Sequence, residues 1–274
     1  MKFLVLGSSG QLGHPLCSFL KEEGNEVIEF DIVEDESQDL RIYNSELLKN
    51  SIKECDFVFF LAFDVGGSRY LEKYQHSYDF LHNNMLIMSN TFKLLKEYKK
   101  PFIFASSQMS NMNHSPYGIL KSIGEKFTTA LDGLTVKFWN VYGPEKNLEK
   151  SHVITDFILM AKNEGMIKMR SDGTEVRQFL HARDCSSCLL SLAEKYDKID
   201  KNKEYHVTSF KWHSIIEIAK IISSEFNNAK IIPSNKKDKV QNDKKNEASE
   251  HILNFWKPQI DIKTGIKMVI EEMK

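Results

Sequence analysis

The chain has almost no net charge: 37 lysines and arginines stand against 38 aspartates and glutamates in 274 residues. Proteins that grip nucleic acid or an anionic membrane surface carry a basic excess, so neither partner is indicated and a charged substrate must be met locally. Cysteine is scarce. Cys17, Cys55, Cys185 and Cys188 lack the spacing of a secreted disulfide framework. Cys185 and Cys188 make one CxxC with no second pair to complete a zinc site, and all four read as core thiols in a reducing compartment. Long hydrophobic runs are also missing, since the opening MKFLVLG stops at a glycine, too brief for a signal peptide or a membrane span. No internal repeat appears. The expectation is a cytoplasmic protein with no metal, membrane or nucleic-acid partner.

What is present is enough apolar sequence, 41% of residues, to bury a large core. Short β-rich runs, KFLVLG, EVIEFD, DFVFFLA, PFIFASS and LTVKFWNVYG, alternate with longer helical patterns up to Gly143. That rhythm predicts an α/β fold with a doubly wound parallel sheet, and continuous runs such as FVFFLA suit strands buried on both faces. After Pro144 the pattern changes. A helix near Val153 to Asn163, a strand near Ile167 to Met169, a helix from Asp184, a strand EYHVTS and a helix from His213 to Phe226 predict a smaller mixed lobe. The division expected is 1–143 for a dinucleotide-binding domain and 144–274 mainly for a substrate lobe. The lysine-rich SNKKDKVQNDKKNEASE reads as a mobile surface loop.

GSSGQLG places Gly7, Gly10 and Gly13 directly after the first strand and at the mouth of a helix. Glycines there allow a tight turn and close approach of backbone to a pyrophosphate, and the helix N-terminus offers amide donors. A second strand ends in Asp31, where a carboxylate accepts hydrogen bonds from ribose hydroxyls and repels a 2′-phosphate, so NAD is favoured over NADP. Further on, ASSQMSNMNHSPYGILKSIGEKF holds two serines and then Tyr117 and Lys121 at helical i, i+4 spacing, which sets an ammonium beside a phenol. Such a pair alone is weak evidence, since many surface helices contain one.

The ordered set of GSSGQLG, Asp31, Asp39 and Leu40, LAF at Leu61 to Phe63 in the usual LAA position, NNM, Ser106 and Ser107, YGILK, NVYGP, SDGTEVRQFLHARD and FWKPQIDIKTGI resembles the extended short-chain dehydrogenase/reductase family. Within it, the likeness is to nucleotide-sugar epimerases and dehydratases, and it runs nearly end to end. The resemblance implies a Rossmann-type domain, an NAD cofactor and an NDP-sugar substrate. It implies cofactor contacts from Gly7, Ser9, Gly10, Gln11, Leu12, Gly13, Asp31, Ile32, Asp39, Leu40, Leu61, Ala62, Phe63, Ser106, Tyr117, Lys121, Asn140 and Val141. It implies substrate contacts from Gly67, Ser107, Gln108, Asn140, Val153 and Arg177. By the same analogy Tyr117 is the base, Ser107 holds the reacting oxygen, and Lys121 bonds the nicotinamide ribose and lowers the pKa of Tyr117. Arg177 would grip the diphosphate, a task suited to a planar guanidinium. Gln178 departs from the aspartate that commonly follows this arginine, and His181 reads as structural.

Dehydratases of this family carry an Asp-Glu pair after the catalytic Ser/Thr; here Gln108 and Met109 stand there, and neither can shuttle a proton. Dehydration is therefore not expected. Hydride transfer at one carbon remains, with a 4-epimerase expected first, a net 4-dehydrogenase or 4-ketoreductase as the alternative, and a non-enzymatic NAD sensor last. FDVGGSRY and NNMLIMSN resemble the branch that acts on GDP-sugars. The helix containing DFLHNNMLIMSNTFKLLKEY and the Tyr117 helix resemble the pair that builds a four-helix bundle, which implies a homodimer.

Overall fold

A computed structural model describes residues 1–145, 147–237 and 246–274. Part of the stretch read as a mobile loop, 238–245, lies outside the described residues. Strands β1 (Lys2–Leu6), β2 (Glu26–Phe30), β3 (Phe57–Phe60), β4 (Phe102–Ser107) and β5 (Leu134–Phe138) join β9 (Tyr205–Val207) in a six-stranded sheet of order β2-β1-β3-β4-β5-β9. Every pairing in it is parallel. This is the doubly wound Rossmann-type sheet expected.

Successive strand residues point to opposite faces, and the apolar runs fill both. Phe3, Val5, Phe57, Phe59 and Ile103 pack toward α1 (Gly13–Glu22) and α7 (Ala182–Glu194). Leu4, Leu6, Val58, Phe60 and Phe104 pack toward α2 (Glu46–Glu54), α4 (Tyr78–Tyr98) and α5 (Pro116–Ala130). Each such side chain contributes about 1.5–3 kcal/mol on burial, so both faces of the sheet add to the stability of the core. All four cysteines are buried free thiols. The edge strand β2 keeps Glu26 and Glu29 exposed, which discourages pairing with another sheet.

The chain leaves β1 for β2 on one side and returns to β3 on the other, so a crevice opens at the carboxyl ends of β1 and β3. Above it sits the smaller lobe. Strands β6 (Asn140–Tyr142), β8 (Val176–His181) and β10 (Trp212–Ser214) form a mixed sheet, and β7 (Met166–Lys168) pairs with β11 (Lys230–Ile232). Helices α6 (Val153–Glu164), α8 (Ile215–Glu225) and α9 (Ile262–Glu272) close a separate apolar core around Phe157, Ile158, Ile218 and Ile266. Helix α3 (Ser68–Tyr74) follows β3 at the seam.

Three readings of the sequence change. LTVKFWNVYG is two strands in different sheets, turned at Trp139, whose amide donates to the Val207 carbonyl (3.4 Å) and whose indole donates to His206 Nδ1 (3.1 Å). Helices α7 and α8 begin at Ala182 and Ile215, because His181 caps the first and His213 belongs to β10. Helix α7 and strand β9 lie with the large sheet, so the chain after Gly143 is shared between both lobes. Among the described residues no helix is long and apolar enough to cross a membrane.

Candidate active site

A cleft of about 1200 Å³ runs between the lobes along the strand ends, and every site residue named from the sequence lines it, Gly7 and Arg177 included. At the first end the glycines are sterically required. Gly7 adopts φ +87°, and a Cβ on it would lie 2.7 Å from the Ala62 amide nitrogen. A Cβ on Gly13 would lie 2.0 Å from the Gly7 carbonyl oxygen, so only glycine lets α1 start this close to β1. The loop thus lays bare backbone along the cleft at a helix N-terminus, the arrangement a pyrophosphate needs.

Asp31 is held at the loop's edge. Its Oδ2 accepts from the Ser9 amide (3.0 Å) and its Oδ1 from the Val33 amide (3.0 Å), which leaves lone pairs on both oxygens for ribose hydroxyls. Ile32 and Leu40 flank it on the cleft wall. Asp39 is fully engaged by Arg41 at 2.8–3.0 Å through Nε, Nη2 and the backbone amide. Burial works against ionisation of Asp39, but these bonds hold its carboxyl below the ordinary range. Gln11 reaches from the loop to the Val141 carbonyl at 2.9 Å, joining the mouth of α1 to the first strand of the smaller lobe. These residues fit NAD: a glycine cradle, a helix start, and a fixed carboxylate where a 2′-phosphate would have to sit.

Mid-cleft, Ser107 ends β4 and Tyr117 opens α5, capped by Ser115 through the Gly118 amide (3.2 Å) with Pro116 in the first turn. Lys121 follows one turn on, and its ammonium donates to the Ala105 carbonyl at 2.7 Å. Burial pushes the Tyr117 phenol up to about 12, opposed by a hydrogen bond with Ser107, and pushes Lys121 down to about 7, opposed by Glu125. The expectation that Lys121 lowers Tyr117 is not met in the chain as folded. The ammonium lies 5.8 Å from the phenol ring centroid, and desolvation outweighs charge for both groups. Ser106 turns away to bond Glu125, consistent with a supporting part.

Toward the smaller lobe, Gly67 packs so tightly that a Cβ would meet the Ser151 carbonyl at 2.4 Å. Arg177 stands on β8 with Nη1 donating to the Val176 carbonyl (2.8 Å). Gln178 points elsewhere, accepting from Thr208 at 3.0 Å, so it does not take over the missing aspartate's support of Arg177. Asn140 reaches the Gln178 carbonyl (3.4 Å). His181 caps α7 through Nδ1, and burial lowers its pKa, as a structural histidine requires.

Sequence reasoning missed three features of the cleft. His152 Nδ1 lies 2.7 Å from Glu145 Oε1, and the His152 amide donates to Oε2 (2.9 Å). A histidine backed by a carboxylate is oriented for proton exchange, and nothing in a seven-residue spacing announces it. Asp64 accepts from Tyr70 (2.6 Å) and Lys150 (2.9 Å), tying the loop after β3 to the one before α6. Asn246 donates to the Gln108 carbonyl and to its side-chain oxygen, both at 2.6 Å, across 138 residues.

The sequence profile of the family described as NAD dependent epimerase/dehydratase matches residues 3–208. A Methanocaldococcus jannaschii protein provisionally named a UDP-glucose 4-epimerase is 25% identical, the match covering 99% of this chain and 98% of that protein. Among solved structures, an epimerase from Methanothermobacter thermautotrophicus superposes with a TM-score of 0.85 at 20% identity, covering 98% of this chain and 91% of that one. The Bordetella bronchiseptica enzyme WbmF, solved with NAD+ and UDP, superposes with a TM-score of 0.81 at 22% identity, covering 98% and 91% of the two chains.

Proposed function

The chain belongs to the NAD-dependent epimerase/dehydratase family of nucleotide-sugar enzymes, and from that premise we propose that it is a 4-epimerase acting on an NDP-sugar. The observation that carries this reading is the cleft itself. Ser107, Tyr117 and Lys121 line one cleft with the glycine loop and Arg177, while the two positions after Ser107 hold an amide and a thioether instead of acids. NAD, when bound, supplies the acceptor for a hydride from the sugar carbon and can return it. Tyr117 takes the hydroxyl proton as the carbon is oxidised, Ser107 holds that oxygen, and charged Lys121 offsets the cost of forming phenolate in a buried place. Arg177 holds the diphosphate bidentately, leaving the sugar free to turn its other face.

The base is favoured as uracil by the full-length relative's name, and as guanine by the likeness of FDVGGSRY to GDP-sugar enzymes. We also propose a homodimer, because α4 exposes Leu81 and Met85 while α5 exposes Ile119 and Phe127. The test is incubation of the purified protein with UDP-, GDP-, dTDP- and CDP-hexoses, followed by mass spectrometry and NMR of the products. A product of unchanged mass with an inverted carbon 4 supports the epimerase; loss of two hydrogens makes it a net dehydrogenase; loss of water overturns the proposal.

A further inference from the structure

Lys121 sits in a partial aromatic box. Its Nζ is 3.7 Å from the centroid of Phe63, 5.2 Å from Phe104 and 5.8 Å from Tyr117. Among the described residues its only hydrogen bond goes to the Ala105 carbonyl, which satisfies one of three ammonium donors. Phe104 is a fully buried residue of the sheet core, whereas Phe63 is half-buried and lines the cleft. The Phe63 ring also meets the Tyr117 ring edge-on, with centroids 5.7 Å apart and planes at 78°. One side chain therefore covers the ammonium with its face and meets the phenol ring in a T-shaped contact.

Burial drives this ammonium toward the neutral amine, and the negative face of an aromatic ring drives it back. We propose that Phe63 is a positioning residue: its ring holds Lys121 charged and in place beside Tyr117. The proposal rests on the reading of Tyr117 and Lys121 as the reacting pair. Of the other groups facing Lys121, Glu125 also favours the charged form, but its carboxylate is shared with other partners and, among the described residues, makes no hydrogen bond or ion pair with the ammonium. Glu125, on the same helix, is engaged by Ser106 and lies 3.6 Å from Lys137 of β5. Asp64, adjacent to Phe63, is paired with Lys150.

The test is a ¹³C NMR titration of protein labelled at lysine Cε, with the Lys121 signal identified by its loss in Lys121→Arg. In Phe63→Leu, which keeps bulk and removes the π face, the Lys121 midpoint should fall by about 0.5 to 1.5 pH units. Phe63→Tyr should restore it. Site-specific trifluorophenylalanine at position 63, which keeps the shape and weakens the face, should also lower it and covers the case in which Phe63→Leu does not fold. The same order is expected after NAD is added. An unchanged or raised midpoint in either substitution overturns the proposal. Because the titration needs no sugar substrate, this result stands apart from whether the protein epimerises.

Discussion

The amide of Ser9 donates to Asp31 Oδ2 at 3.0 Å, so the glycine loop and the end of β2 are one unit. The same carboxylate that fixes the loop would accept from the ribose hydroxyls, and its charge would oppose a 2′-phosphate. NAD should therefore bind much more tightly than NADP. Asp31→Ala should weaken NAD by about 10- to 100-fold, the size of charge-assisted hydrogen bonds, and narrow the gap to NADP. Calorimetric titration with both nucleotides checks this; equal affinities in the unmodified protein would refute it and favour a ketoreductase.

Burial of the Lys121 ammonium costs the fold stability. Its pKa in the folded chain, about 7, lies below the value of 10.5 for a free lysine, so between these limits the unfolded chain binds a proton that the folded chain does not. Stability from this group therefore rises with pH from about 7 toward 10.5 and is lowest where burial of the charge is forced, below 7. Lys121→Met should unfold at a higher temperature than the unmodified protein at pH 6, with the gap closing as pH rises. Thermal melts across that range test the sign, and a gap that widens with pH would contradict it.

The positions legible in the sequence are those that local chemistry dictates. Gly13 is fixed by a steric contact with Gly7 inside the loop and Gly7 by its left-handed φ, Asp31 by the end of its strand, and Tyr117 and Lys121 by one helical turn. The buried strands were legible because apolar runs such as FVFFLA have no other place to go. What escaped depends on tertiary partners. No glycine or proline stands beside Trp139 in LTVKFWNVYG; the turn there is held by Val207 and His206. Asn246 meets Gln108, and Lys150 meets Asp64, only because the fold brings distant segments to one cleft. Lowering of Tyr117 by Lys121 was implied by the family resemblance, whereas burial, which no motif reveals, raises the phenol.

The apolar positions on α4 divide into two sets. Met88, Phe92 and Leu95 are buried in the chain's own core, whereas Leu81 and Met85 stand exposed. Phe92 stacks on Phe127 at 5.2 Å, so α4 and α5 lie side by side and their exposed residues can cover a second copy. Met85→Glu combined with Ile119→Glu should convert a dimer to monomer in sedimentation velocity at micromolar concentration, without altering the far-ultraviolet spectrum. Finding only monomer in the unmodified protein would end this reading.

Tyr117→Phe should abolish hydride transfer and leave nucleotide-sugar affinity nearly unchanged, whereas Arg177→Ala should mainly weaken substrate binding. The phenol makes its decisive contribution as the hydroxyl proton leaves, so its loss falls on the transition state and appears in kcat. The arginine, if it grips the diphosphate as proposed, would touch a phosphate in ground and transition states alike, so KM should rise more than kcat falls. Ser107→Ala belongs between them, since it removes one oriented hydrogen bond worth roughly 2 to 4 kcal/mol in a water-excluded site. Burial that holds the phenol near 12 sharpens the expectation, because a group so reluctant to ionise must be matched by Lys121 and Ser107, and losing either should also slow the step. Stopped-flow absorbance of the reduced nicotinamide decides the matter: a Tyr117→Phe protein that still reduces bound NAD at an undiminished rate does not use this phenol as its base.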